Sequence, residues 1–358
     1  MMDNLFDKIH FPCGATMNNR FMLAPMTNTM SHEDGTLSDD EFNWLTMRAK
    51  GGFGLTMTCA SHVQANGKGF PGQLGIFSDM HIEGHTRLAR EIKNNDSLAV
   101  IQLHHAGIRS PKELVDGKIV GPSNDEKTNA RGLSLEEVYQ LRDDFIDAGI
   151  RALHCGYNGV EIHGAHGYII SQFLSAKYNH RKDAYGGSLE NRSRLLFEIV
   201  DGIRSNCGPD FLIGVRLSPE RFGMILDEVK IICKQLVEDA KIDFLDISLW
   251  DVFKMPEEKE YQNMSLLEHF SQIDYKEIKW TVAGQIRSAE DVQKVINAGV
   301  DFVSIGRAGI LHHDFPKKVM NDANFKPKPL PVSSEYLKNE GVGERFVAYM
   351  RRWPDFVE

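Results

Sequence analysis

The sequence predicts a single (β/α)8 TIM barrel with an N-terminal cap and a C-terminal tail. Three observations carry that expectation. Short β-branched or apolar runs alternate with capped, amphipathic stretches; there are eight such runs; and residues 20–305 allot roughly 36 residues to each repeat, within the usual size of this fold. Strands alternating with helices indicate a parallel sheet, and eight of them indicate closure.

The strand-like runs are 20–25, 53–60, 98–103, 159–163, 211–217, 242–247, 278–283 and 301–305. The first helix-like stretch, 38–50, opens at a Ser whose hydroxyl can accept a free backbone N–H, and it stops at Gly51-Gly52. Stretch 79–95 follows. Ser134-Leu-Glu-Glu opens a long one ending at Gly156; 189–206, 226–240 and 288–298 complete the set, the last running into Gly299. Two stretches break the rhythm. Residues 104–131 hold Gly, Pro, Ser and Asn without helical spacing, and 250–263 is a charged excursion after the sixth run. Both follow strand C-termini, where barrel active sites are built. No linker-like segment divides the chain, so residues 1–325 read as one barrel and 326–358, rich in Lys and Pro, as a tail packed on or beyond it.

Composition excludes several classes. The 358 residues are 42% hydrophobic and 25% charged with a mean hydropathy of −0.33, too apolar for disorder and without the run of about 18 apolar residues that crosses a bilayer. Met-Met-Asp-Asn-Leu-Phe-Asp-Lys places acids where a secretory leader carries basic residues, so a cytoplasmic location is expected. There are 41 basic and 50 acidic residues, a net charge of −9, and no Lys/Arg block; neither nucleic acid nor a membrane is an expected partner. The five cysteines, at 13, 59, 155, 207 and 233, match no zinc or iron–sulfur spacing and fit a reducing compartment. A homo-oligomer stays open.

Two motifs invite misreading. Gly67-Lys-Gly-Phe-Pro-Gly72 satisfies G-x-G-x-x-G, but Pro71, Gly72 and Gly75 deny it the helix a dinucleotide fingerprint requires, leaving a plain glycine loop. His81-Ile-Glu-Gly-His85 has its Glu misplaced for a zinc helix and reads as a solvated helix face, as does His312-His313. No metal site is expected.

The chemistry gathers at strand ends. His163-Gly-Ala-His166-Gly-Tyr168 begins where the fourth run stops. It reads as a strand end with satisfied polar side chains, as imidazole donors and a phenol that bind an oxygen gaining negative charge and deliver a proton, or as metal ligands. Metal-dependent barrel hydrolases want histidines at the first strand, where this chain has Leu23-Ala-Pro-Met-Thr27. Thr281-Val-Ala-Gly284 and Ser304-Ile-Gly-Arg307 end the seventh and eighth runs, the second ahead of a short helix-like segment. Barrels bind phosphate there with backbone amides, a helix N-terminus and an arginine.

Five segments in order are similar to the Old Yellow Enzyme family of flavin mononucleotide (FMN) barrels: Ala24-Pro-Met-Thr27, Ile101-Gln-Leu-His-His-Ala-Gly107, Glu161-Ile-His-Gly-Ala-His-Gly-Tyr168, Asn179-His-Arg-Lys-Asp-Ala-Tyr-Gly-Gly-Ser-Leu-Glu-Asn-Arg192 and Ile305-Gly-Arg307. The resemblance runs over about residues 5–315. It implies an FMN-dependent oxidoreductase that takes hydride from NADH or NADPH and passes it to a small-molecule acceptor: an activated alkene, a quinone or a nitro compound. It implies that Ala24, Pro25, Met26 and Thr27 lie against the flavin ring, with Ala60 and Gln102 at its edge and Arg216 near its pyrimidine end. Gly284, Gly306 and Arg307 match phosphate contacts. His163 and His166 match the pair that grips the acceptor's oxygen, and Tyr168 the proton donor. Arg216 also reads as a structural ion pair across the barrel mouth, and Gln102 as a buried amide satisfied by backbone.

Departures narrow the transfer. Thr27 stands where one branch has a redox-tuning Cys, and Thr29 and Ile108 stand where that branch often has Tyr and a basic residue, with His104 and Arg109 close by. Arg351-Arg352-Trp353 reads as a solvated tail in preference to an arginine reaching into a neighbour's site. The rivals are a dienoyl-CoA-type reductase with an iron–sulfur cluster, a metal-dependent barrel hydrolase, a flavin-binding sensor without turnover and a tRNA-reducing flavin barrel.

Overall fold

A computed structural model describes residues 3–358. Eight parallel strands form the barrel: β1 (Phe21–Leu23), β2 (Leu55–His62), β3 (Leu98–His104), β4 (Gly159–Gly164), β5 (Leu212–Leu217), β6 (Phe244–Ser248), β7 (Lys279–Ala283) and β8 (Phe302–Ile305). They close in sequence order, β8 pairing β1 through Ile305 and Leu23. All eight expected runs are strands. The boundaries differ where the ladder does: β1 stops before Pro25, which has no N–H to give, and β2 runs on to His62 through a register shift between Met57 and Ala60.

The helices lie outside. α1 (Asp39–Lys50), α2 (Ile82–Lys93) and α3 (Leu135–His154) follow β1, β2 and β3; α4 (Ile169–Leu174) and α5 (Leu189–Cys207) follow β4. α6 (Leu226–Asp239), α7 (Leu266–Ser271), α8 (Ala289–Asn297) and α9 (Arg307–Leu311) follow the remaining strands. Ser38 caps α1 by accepting from the Glu41 N–H, and Ser134 with Glu137 closes a capping box on α3. The short α4 and α7 fall where hydrophobic periodicity has too few turns to register.

One end of the barrel is sealed. The strands Ile9–His10 and Thr16–Met17 pair across it, and Phe11 packs against Phe244 and Phe302 at 6.0 and 5.8 Å between ring centroids. A Cβ on Gly214 would stand 2.1 Å from the Phe244 ring, so only glycine lets that ring fill the barrel. The opposite end stays free for a site.

The last residues are anchored. After α10 (Phe315–Asn321), α11 (Ser334–Asn339) and α12 (Glu344–Met350) fold back, Val332 bridges Val357, and Phe346 meets Trp44 edge-on at 5.0 Å.

The solvated-face reading of two histidine pairs is wrong. His81 and His85 are buried: His85 bonds the Tyr157 hydroxyl at 2.9 Å and the Gly75 carbonyl at 2.8 Å, and His81 packs on Phe77. Desolvation disfavours the imidazolium and pushes both down to about 4. His312 is also buried, its Nε2 accepting from the Lys328 N–H, while His313 pairs with Glu340 at 2.7 Å. The glycine loop holds as read, with one 3-10 turn (Ala65–Gly67) and the next helical turn starting at Asp79. Among the described residues no helix is long and apolar enough to cross a membrane.

Candidate active site

At their C-terminal ends the strands open into a cleft of ≈ 970 Å³, mouth included, a volume suited to a nucleotide-sized ligand. Ala24, Pro25, Met26 and Thr27 form one wall beyond β1. Arg216 enters from β5, Gly284 follows β7, and Gly306 and Arg307 follow β8, all on the same cleft. Ala60 and Gln102 are register partners on β2 and β3, and the Gln102 amide donates to Glu161 Oε1 at 2.7 Å. Gln102 is therefore satisfied by a side chain, not by backbone.

The far end of the cleft is cationic. Arg307 and Arg287 converge there, and neither has a carboxylate within salt-bridge distance among the described residues. Burial and the Arg287 charge both hold the Arg307 guanidinium below its ordinary range, which is the signature of two cations lacking an anion. Gly284 has φ +150°, and a Cβ there would meet the Trp250 carbonyl carbon at 2.8 Å; at Gly306 a Cβ would face open space, with only the Met26 sulfur at 3.8 Å. Two unpaired guanidiniums beside bare backbone fit a phosphate dianion, and the apolar wall at 24–26 with Arg216 opposite fits a flavin ring.

The other end is aromatic. After β4 the chain turns sharply, with His166 at φ +59° and Gly167 at φ +70°, where a Cβ would strike Phe222. This turn folds three rings together, His163 lying 5.1 Å from His166 and 5.1 Å from Tyr168, and a fourth, His104 at the end of β3, lies 4.3 Å from Tyr168, centroid to centroid. The Ala165 N–H donates to His163 Nδ1 at 3.2 Å, so the ring proton sits on Nε2. His166 Nε2 meets Ser248 Oγ at 2.8 Å, and Arg216 Nη2 donates to the same hydroxyl at 3.5 Å. Ser248 therefore links the His166 ring to the Arg216 guanidinium.

Burial and the charges of Arg216 and Arg109 hold His163 and His166 well below the usual imidazole value, so both rings are neutral. Burial pushes the Tyr168 phenol up, while the Arg109 guanidinium, 4.8 Å over its ring, pulls the other way.

Sequence reasoning missed several residues here. Ser248 joins the two ends of the site, and its position at the close of the sixth strand was an available signal. Arg287 gave none, since its neighbours look like an ordinary helix start. Tyr349 and Trp353, from the presumed solvated tail, line the cleft, with Arg307 5.5 Å over the Trp353 ring; Arg351 and Arg352 are exposed, as expected of them. Arg216 does form an ion pair, with Asp246 at 3.1 Å.

A closed parallel barrel whose strand ends unite a nucleotide-sized cationic cleft with neutral imidazole donors and a phenol defines a cofactor-dependent barrel enzyme. Residues 4–325 match the NADH:flavin oxidoreductase / NADH oxidase family, and the chain belongs to it. It is 37% identical over 326 residues to a probable NADH-dependent flavin oxidoreductase of Bacillus subtilis, covering 88% of this chain and 87% of the relative. An NADPH dehydrogenase of Bacillus pumilus is 34% identical over 321 residues, covering 85% and 90%. The structure of an old yellow enzyme homologue from Zymomonas mobilis superposes with a TM-score of 0.81 at 27% identity, covering 96% and 99%. The chain is thus an NAD(P)H-dependent flavin oxidoreductase of the Old Yellow Enzyme type.

Proposed function

We propose that this enzyme reduces an activated alkene, quinone or nitro compound, with His163 and His166 binding the acceptor's oxygen and Tyr168 supplying the proton. The observation that carries the reading is the junction at Ser248, which ties His166, whose ring lies against His163, to the cleft holding Arg216, Arg287 and Arg307. When bound, FMN supplies the two-electron relay between nicotinamide and acceptor.

The residues then divide the work. Ala24, Pro25, Met26 and Thr27 bind one side of the cofactor ring, Ala60 and Gln102 its edge, and Gly284, Gly306, Arg307 and Arg287 its phosphate. Arg216 favours negative charge at the ring's pyrimidine end. His163, through its Nε2–H, and His166 supply two preplaced donors to an oxygen that gains charge, and losing one such donor typically costs about 2.7–4 kcal/mol of barrier lowering. Because both rings are neutral, their contribution is directional hydrogen bonding. Tyr168 stays protonated at neutral pH and is available as the acid.

Anaerobic titration of the purified protein with NADH and with NADPH tests this reading: bleaching of a bound flavin's visible absorption is expected. A colourless preparation that FMN cannot reconstitute, or a yellow one that neither nucleotide bleaches, overturns it. Stopped-flow reoxidation with enones, quinones, nitro compounds and oxygen then identifies the acceptor class; rapid reoxidation by oxygen alone would favour a flavin-binding protein without turnover.

A further inference from the structure

Beneath the cleft the barrel interior holds a polar cluster that includes two carboxyls to which the proposed chemistry gives no role. Gln102, Glu161, Arg216 and Asp246 come from the adjacent strands β3, β4, β5 and β6, where the register sets Gln102 beside Glu161 and Arg216 beside Asp246. Glu161 and Asp246 are both 0% exposed. Glu161 Oε1 accepts from Gln102 at 2.7 Å, and Asp246 Oδ2 lies 3.1 Å from Arg216 Nε. The remaining Glu161 oxygen and the Asp246 oxygens accept no aligned hydrogen bond from any described donor.

Those orphaned oxygens are mutually explained. The two carboxyls stand on β4 and β6, on either side of β5, and act on one another; Arg216, in contact with Asp246, acts on Glu161 through its charge. His104, His163 and His166, the imidazoles above them, are held neutral by burial and supply no second cation. Two bare carboxylates with a single cation would leave a buried charge unmatched, whereas one proton between them satisfies an oxygen on each side. Burial pushes both carboxyls upward, and their mutual repulsion pushes Glu161 further, so the pair holds that proton jointly.

We propose that Asp246 and Glu161 are positioning residues of the cofactor site: the Asp246 carboxylate fixes Arg216 and offsets its charge toward the flavin, the Glu161 carboxyl caps that carboxylate, and together they set the flavin's reduction potential. The inference rests on the FMN reading above. An unopposed guanidinium favours the negative charge that accumulates on reduction; a carboxylate in contact with it cancels part of that preference. Without Asp246 the bound flavin is therefore easier to reduce.

Spectroelectrochemical titration of the FMN-loaded protein reads this directly. Asp246→Asn shifts the ratio of reduced to oxidised flavin at fixed poise upward by about tenfold or more, ~30 mV for a two-electron couple. Glu161→Gln, which keeps a neutral donor against Asp246, leaves the potential near that of the parent. A flavin-loaded Asp246→Asn protein whose potential is unchanged or lowered overturns the proposal. Should that variant not fold, the parent holoenzyme decides by reduced-minus-oxidised infrared difference spectroscopy. A protonated carboxyl band that shifts on reduction and is lost in Glu161→Gln supports the proposal, and the absence of any such band overturns it. Failure to take up FMN strikes at the proposed function; bound flavin with an unmoved potential strikes only at the carboxyl pair.

Discussion

Tyr168 is pulled in two directions, and the balance sets the pH range over which it can donate a proton. Desolvation raises the phenol's pKa and the Arg109 guanidinium lowers it. An acid works only below its pKa, so turnover with the acceptor declines as pH rises through that value. Removing the cation in Arg109→Met moves this alkaline limb to higher pH; a stopped-flow pH profile of acceptor reduction in which the limb stays put or falls contradicts the assignment. Tyr168→Phe should slow acceptor reduction while sparing flavin reduction by nicotinamide, and equal loss in both half-reactions would remove Tyr168 from the acid role. At the opposite end, Arg307→Ala should weaken FMN retention about 10- to 100-fold, since hydrogen bonds to charged groups contribute about 1.5–3 kcal/mol. Equilibrium titration of the apoprotein measures this, and unchanged affinity would move the phosphate site elsewhere. His163, His166, Tyr168 and Arg307 were readable because each stands beside a glycine at or just past a strand end, whereas Asp246 sits among Phe, Leu and Ile with nothing local to mark it, and Glu161, though it opens a segment of the family resemblance, stands inside its strand.

At the scale of elements, α2 shows how burial turns an apparently polar face into core. His85 spans Gly75 and Tyr157, and His81, just before α2, leans on Phe77, whose ring centroid is also 4.9 Å from that of His62. All three are held down to about 4 by desolvation. Between that value and the ordinary one near 6.5, the unfolded chain binds more protons than the folded one. Stability contributed by the neutral rings is therefore complete above about 6.5 and is lost as pH falls toward about 4. Thermal melts across that window should show the decline, shallower in His85→Leu; an identical slope in that variant would exclude His85 as a source. The segment 179–192, prominent in the family resemblance, is scaffolding: Arg181 donates to the Pro122 and Leu133 carbonyls, and Arg192 pairs with Glu228 at 2.6 Å.

At the scale of the whole molecule, the chain's last residues complete the cleft that its first strand begins. Phe346 is 1% exposed against Trp44, and Trp353 faces Arg307 across the cationic end. These contacts predict a separation of effects. Phe346→Ala should cost about 3–5 kcal/mol of stability, as large aromatic truncations in cores do. Trp353→Ala, at a half-buried position, should chiefly lower FMN retention. Denaturant unfolding of the two apoproteins beside their flavin affinities checks this; a Trp353→Ala protein as destabilised as Phe346→Ala, with parent affinity, would make the tail purely structural.

The strand–helix alternation, the closure of eight strands and the stations of His163, His166, Tyr168 and Arg307 were legible along the chain, because hydrophobic period, capping residues and strand-end glycines are local properties, while Arg216 stood out only through the family resemblance. Only the tertiary structure decided that Ser248 links the imidazoles to Arg216, that Arg287 joins Arg307, that Glu161 meets Asp246, and that 346–353 returns to the cleft. Each of these is a contact between segments far apart along the chain, fixed by barrel stagger and by packing that no local pattern records.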